Sequence, residues 1–244
     1  VRGPGATLWG ANAVNGVINI VTKTAAETQG TLASAIAGNQ ERLTGTGQYG
    51  GRIGDSGYYR VYCKDLDRAD ETALTGGDSA GAGFHAWRGG FRSDWTLNAA
   101  DKLTVQGDAY DSGQSQFRSL PNPVVAPFNP TTELGSIMAS GANLMAKWTR
   151  ALKADSQVEW MTYLDYTHRD DELVLDDRRT AFDTEAQYDF PTMGMHKLIA
   201  GLRFRYSAED IRPAATSVVV SAPAEHSEQL YSAFLQDQMA LTDK

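Results

Sequence analysis

Hydrophobic and polar residues alternate with a period of two along most of this chain, and almost no stretch shows the 3.6-residue period of an amphipathic helix. In the clearest case, HAWRGGFRSDWTL at 85–97, aromatic residues occupy one face of a predicted strand and arginines the other. The pattern predicts an all-β chain of about ten strands. The sharpest lie at 58–65, 85–97, 102–111, 156–167 and 197–206, and the weaker ones at 30–38, 42–53, 140–150, 180–190 and 228–241.

The predicted connections alternate in length. Short turns are predicted at 54–57, 98–101, 152–155 and 191–196, and longer polar links at 66–84, 112–138, 170–179 and 207–226. Only the hairpin near 39–41 is tight on the side of the long links. Short turns at one end of a sheet and long loops at the other are typical of outer-membrane β-barrels.

Two tryptophans support this interpretation. Trp87 and Trp95 share one face of the predicted strand, about 26 Å apart along it. At a strand tilt of about 40°, this distance spans about 20 Å of the membrane normal, close to the spacing of the two aromatic girdles of a barrel. The alternative is that both tryptophans belong to the core of a soluble β-sandwich.

Composition excludes several other classes. A net charge of −8 argues against a nucleic-acid partner. The single cysteine, Cys63, excludes an intramolecular disulfide and a cysteine-based metal cluster. The four histidines show no metal-ligand spacing, and neither a nucleophilic triad nor a pair of catalytic carboxylates stands out, so we expect neither an enzyme nor a cofactor.

The opening segment, VRGPGATLWGANAVNGVINIVTK, is rich in glycine. It lacks the Lys-Ser/Thr of a phosphate-binding loop, and Leu8 replaces the third glycine of a dinucleotide-binding loop. It instead resembles the end of the plug domain of TonB-dependent outer-membrane receptors, and residues 232–237 resemble a barrel strand of that family. The plug resemblance rests on Arg2, Gly3, Pro4, Gly5, Trp9, Gly10, Asn15 and Gly16.

The resemblance implies a partial transmembrane antiparallel barrel, with about ten of roughly 22 strands. Residues 1–26 would end the plug and 27–244 would begin the barrel, so the chain is expected to be a fragment without the TonB-interacting segment. The implied function is energy-coupled uptake of a scarce nutrient, first of all a ferric siderophore, across the outer membrane of a Gram-negative bacterium. The implied partners are the outer-membrane bilayer, TonB with its inner-membrane complex, and a small-molecule ligand. A passive porin and a secreted all-β binding or adhesion protein remain alternatives.

The strand faces also predict site residues. The polar faces should line the barrel lumen and contact the plug, where Arg2 would pair with Glu159 or Glu185, unless water solvates it. In the link 112–138, Phe117 and Phe128 are candidates for substrate contact because aromatic rings can stack on ligands. The acidic link 170–179 is interpreted either as a solvated loop or as a calcium site. The lumen candidates are Arg60, Arg88, Arg92, Glu159, Arg203 and Arg205.

Overall fold

The computed structural model describes residues 21–71, 80–120, 130–214 and 223–239. They form a single antiparallel sheet in which each strand pairs with the next one along the chain, and a 3-10 turn, Ala26–Thr28, precedes it. The strands are β1 (Gly30–Ile36), β2 (Glu41–Ile53), β3 (Gly57–Arg68), β4 (Phe84–Thr96), β5 (Asp101–Leu120), β6 (Thr131–Ala151), β7 (Gln157–Asp171), β8 (Leu175–Asp189), β9 (His196–Pro213) and β10 (Glu225–Met239). The all-β prediction is therefore confirmed.

The sheet is open. Among the described residues, β1 pairs only with β2 and β10 only with β9, so each outer strand has one unpaired edge. None of the helical turns in the described ranges is long and apolar enough to cross a membrane.

Two of the predicted links are wrong. β5 continues to Leu120 and β6 begins at Thr131, so most of the predicted link 112–138 is strand. The predicted link 170–179 is also mostly strand, because Asp171 pairs with Leu175 across a turn of three residues at 172–174. The reason is the same in both places: the strands continue where both faces are polar, so the alternation that marks a strand in sequence is lost.

The ladder registers divide the side chains between two faces, since residues directly opposite each other in an antiparallel pair lie on the same face. We call one the arginine face; one of its rows runs Arg60, Arg92, Gln106, Met145, Tyr163, Asp183, Arg205. We call the other the aromatic face; one of its rows runs Trp95, Leu103, Trp148, Trp160, Ala186, Leu202.

Within the described part of the chain, no other element covers the aromatic face. Trp87 and Phe91 are 41% and 40% exposed. Among the described residues, the only buried apolar ones are Ala25, Ile137 and Leu173, so the sheet has no closed hydrophobic core of its own. This contradicts the sandwich alternative, in which the tryptophans would be sealed inside.

Candidate functional site

The arginine face carries all six predicted lumen candidates. Arg60, Arg92 and Arg205 lie in one row of directly paired residues. Arg203 is two positions from Arg205 along β9 and therefore shares its face. The register places the remaining two, Arg88 and Glu159, on the same face. Their predicted contact with a plug stays a prediction.

The segment 22–29, which we call the linker, lies against this face. The guanidinium of Arg92 donates to the Oγ1 atom of Thr22 at 2.9 Å, and that of Arg60 donates to the carbonyl of Lys23 at 3.2 Å. The backbone N–H of Ala25 donates to the Asp94 carboxylate at 2.7 Å. Ala25 has no exposed surface, so the linker packs against the sheet at this residue.

A cavity of about 690 Å³ opens between the linker and strands β1–β5. Arg88 and Arg92 reach it and are paired with carboxylates, Arg88 with Asp108 at 3.3 Å and Arg92 with Asp94 at 2.8 Å. Arg60 also lines it but forms no ion pair with any described carboxylate, and it is held by the linker instead. The cavity wall thus carries three arginines, two of them ion-paired and the third hydrogen-bonded to the linker.

A second charged cluster lies further along the arginine face, around Asp183. This carboxylate is 4% exposed and accepts hydrogen bonds from Arg203 at 2.7 Å and from Arg205 at 2.6 Å. Arg203 also approaches Glu185 to 4.0 Å. Two arginines and two carboxylates therefore balance each other, and nearly all of the Asp183 surface is used in holding them.

Between these clusters, charged and phenolic groups pair within the sheet. Glu159 binds Lys147 at 2.8 Å, and the hydroxyl of Tyr163 donates to Asp165 at 2.9 Å. The hydroxyl of Tyr62 donates to Asp108 across the intervening strand. Charged and phenolic groups therefore follow one another along this face from β3 to β9.

Several predicted residues are not part of this surface. Phe117 lies within β5 rather than in a loop, paired with Leu134 on the aromatic face. The link 170–179 does not gather a metal site, since no group of three or more potential ligands occurs within the described ranges. Outside the described residues lie Arg2, Gly3, Pro4, Gly5, Trp9, Gly10, Asn15, Gly16 and Phe128.

Sequence reasoning missed two features of the site. Asp183, on which two arginines converge, belongs to a strand whose alternation is weak, and nothing in the sequence gives its register against β9. The linker could have been found, because Thr24 and Glu27 have the Thr-x-x-Glu spacing of a capping box.

Several solved structures that share this fold are siderophore receptors. The chain superposes on the ferric enterobactin receptor PfeA from Pseudomonas aeruginosa with a TM-score of 0.70 at 13% identity, covering 100% of this chain and 42% of that one. For the siderophore receptor PirA from the same organism, the TM-score is 0.66 at 13% identity, covering 99% of this chain and 40% of that one. For PirA from Acinetobacter baumannii, the TM-score is 0.66 at 14% identity, covering 100% of this chain and 41% of that one.

The chain thus spans about two fifths of the length of these receptors. No protein-family model and no curated protein sequence matches it significantly. The resemblance to TonB-dependent receptors is confirmed at the level of the fold: this chain has the architecture of part of a siderophore-receptor barrel.

Proposed function

We propose that the chain is part of a TonB-dependent receptor in the outer membrane of a Gram-negative bacterium, and that this receptor imports a scarce nutrient, most simply a ferric siderophore. The observation that carries the proposal is the division of one open sheet into an uncovered apolar face and a hydrogen-bonded charged face. An apolar face meets lipid, and a charged face meets water and a plug.

The height of the apolar face supports a membrane location. The row of this face nearest the short turns is Trp95–Leu103–Trp148–Trp160. The row four positions away along β4 contains Phe91, Leu144, Leu164 and Phe182. The row through Trp87 already contains polar residues, namely Asp111, Ser140, His168 and Arg178. The two limiting rows are eight positions apart along β4, or about 20 Å along the membrane normal for strands tilted by about 40°. This is close to the apolar band of about 25 Å in such barrels.

The charged face supports a movable plug rather than a fixed core. Its groups are paired by hydrogen bonds and ion pairs, which water can replace when a neighbouring segment moves. Water could not replace the contacts of an apolar interface in this way, because separating that interface exposes apolar surface to water. In the proposed receptor, the inner-membrane TonB complex pulls on the plug, and the path along the arginine face opens.

Nutrient uptake tests the proposal. A strain lacking the gene for the full-length protein is supplied with a panel of ⁵⁵Fe-labelled siderophores under iron limitation, with and without TonB. The expected result is loss of uptake of one siderophore, restored by the gene only when TonB is present. Cobalamin and saccharides in the same panel identify another nutrient class. Uptake that continues unchanged without TonB would contradict the proposal and favour a passive porin.

A further inference from the structure

We infer that Asp94, together with Arg92 and Arg60, anchors the linker to the wall, so that a pull on the preceding residues stops at the linker and does not reach β1. The inference rests on the proposed function, because only an energy-coupled receptor experiences such a pull. It assigns Asp94 as a positioning residue: it does not contact a substrate but fixes the point from which the plug moves.

Hydrogen bonds within the linker itself hold it in a turn. The backbone N–H and the hydroxyl of Thr24 both donate to the Glu27 carboxylate, at 2.8 Å and 2.7 Å. The backbone N–H of Glu27 donates back to the Thr24 hydroxyl at 3.4 Å. This reciprocal arrangement is a capping box, which satisfies the free N–H groups at the start of a turn. The linker therefore lies on the sheet as a hydrogen-bonded turn.

Asp94 is the point at which the turn and the sheet meet. One of its oxygens accepts from the N–H of Ala25 and from the Nε atom of Arg92, at 2.7 Å and 2.8 Å. The other accepts from Arg92 at 3.0 Å and from the hydroxyl of Thr104 at 2.7 Å. Arg92 and Thr104 hold the carboxylate from two strands, so its orientation toward Ala25 is fixed. Hydrogen bonds to a charged acceptor contribute more than neutral ones.

The arginines add a second attachment on each side. Arg92 donates to Thr22, before the turn, and Arg60 donates to Lys23 and to the hydroxyl of Thr28, at its two ends. The backbone also approaches β2 closely: a β-carbon at position 50 would overlap the carbonyl oxygen of Thr28, which explains the glycine there. These contacts share an applied load, because they must break together for the turn to leave.

Without this anchor, β1 would be the first strand to take the load. Its ladder begins at Gly30, paired with Gly50, immediately after the linker. A pull at this end would therefore load the Gly30–Gly50 pair before any other pair of the ladder. The anchor lies directly in front of that first pair and takes the load before it.

Single-molecule force spectroscopy on the full-length protein in lipid vesicles tests the inference, with the pulling handle at the N-terminus. In the wild type, extension is expected to stop at a high-force event located at the linker. Its release adds about 28 Å for eight residues, and β1 adds about 25 Å more for seven. In Asp94→Ala, the force at the linker event is expected to fall to roughly half or less.

A second variant removes the same hydrogen bond without changing the barrel, so its effect cannot be caused by misfolding of the barrel. Ala25→Pro removes the N–H that donates to Asp94 and changes no strand residue, while the backbone φ of −62° at position 25 suits proline. It should lower the linker force as Asp94→Ala does. Asp165→Asn is the matched control, since Asp165 lies on the same face and accepts a hydrogen bond from Tyr163 rather than from the linker; it should leave the force unchanged.

The result separates the two proposals. If both variants keep the wild-type force at the linker, the anchor is wrong, whatever the protein transports. If the force falls but uptake in the wild type proves independent of TonB, the anchor stands and the proposed function fails. If both proposals hold, Ala25→Pro should retain siderophore binding while its TonB-dependent uptake falls.

Discussion

The phenol ring of Tyr110 lies over Gly141, with its Cε1 atom 2.7 Å from the place that a β-carbon at position 141 would occupy. The carbonyl oxygen of Tyr166 is equally close on the other side. Gly141→Val should therefore displace the ring and strain the backbone, and overpacking of this kind costs about 1–3 kcal/mol. Urea unfolding of the full-length protein in detergent measures this cost.

Gly113 provides the control for that experiment. It also lies in a central strand, but a β-carbon there would meet nothing within 4 Å. Gly113→Ala should change the free energy of unfolding by less than about 0.5 kcal/mol. Equal destabilisation by the two substitutions would mean that the ring of Tyr110 does not decide the residue at 141.

Two adjacent residues of β6 distinguish lipid from lumen. Leu144 lies on the aromatic face, in the middle of the apolar band and 44% exposed, whereas Met145 lies on the arginine face. Leu144→Arg should cost about 2–4 kcal/mol, as expected for a lipid-facing arginine near the bilayer midplane. Met145→Arg should cost much less, since it enters a polar surface. The folded fraction in vesicles, read from heat-modifiable gel mobility, compares them, and equal losses would contradict a bilayer around this face.

Removal of the shared carboxylate should destabilise the second charged cluster. Asp183→Ala leaves Arg203 and Arg205 close together without their common partner. Because both arginines are about one third exposed, water moderates the repulsion, and we expect a loss of about 1–3 kcal/mol of unfolding free energy.

The exposed pair Arg212–Asp210 is the matched control for this cluster. Asp210→Ala should cost at most about 1 kcal/mol, the range of surface ion pairs. The same urea unfolding measurement applies to both variants. If Asp183→Ala is no more harmful than Asp210→Ala, the convergence of two arginines on one carboxylate does not stabilise the wall.

One connection between two short turns should depend on pH. The hydroxyl and the backbone N–H of Thr192 donate to Asp155, at 2.6 Å and 3.4 Å, and these bonds hold the pKa of the Asp155 carboxyl below its usual value. A carboxyl with a lowered pKa stabilises the fold above its unfolded-state pKa of about 4, and this stabilisation is lost as the pH falls through the lower value of the folded state.

Thr192→Val tests the connection. It removes the hydroxyl, so the pKa of Asp155 should rise toward its ordinary value and the variant should be less stable than the wild type near neutral pH. The two proteins should converge in stability as the pH falls below about 4. Thr192→Ser keeps the hydroxyl and should follow the wild type. A constant difference between Thr192→Val and the wild type at all pH values would assign the effect to packing.

The sequence predicted strands where the two faces meet different media. β4 was expected at 85–97 and spans Phe84–Thr96, because its aromatic and arginine positions alternate without interruption. The prediction failed at the end of β5 and the start of β6, within 112–138. Serine, glutamine and threonine occur there on both faces, so the alternation of apolar and polar residues that marks a strand is lost. Pairing across strands was also inaccessible: the meeting of Arg203 and Arg205 at Asp183 depends on a ladder register that one sequence does not specify.

Every strand in this sheet has only its predecessor and its successor in the chain as neighbours. Within this sheet, none of the described strands between β1 and β10 needs a distant part of the polypeptide to complete its pairing. The sheet can therefore grow by addition of one hairpin at a time, with the newest edge serving as the template for the next segment. In the barrel proposed above, this order means that most backbone groups are satisfied progressively during insertion, before the step that closes the barrel.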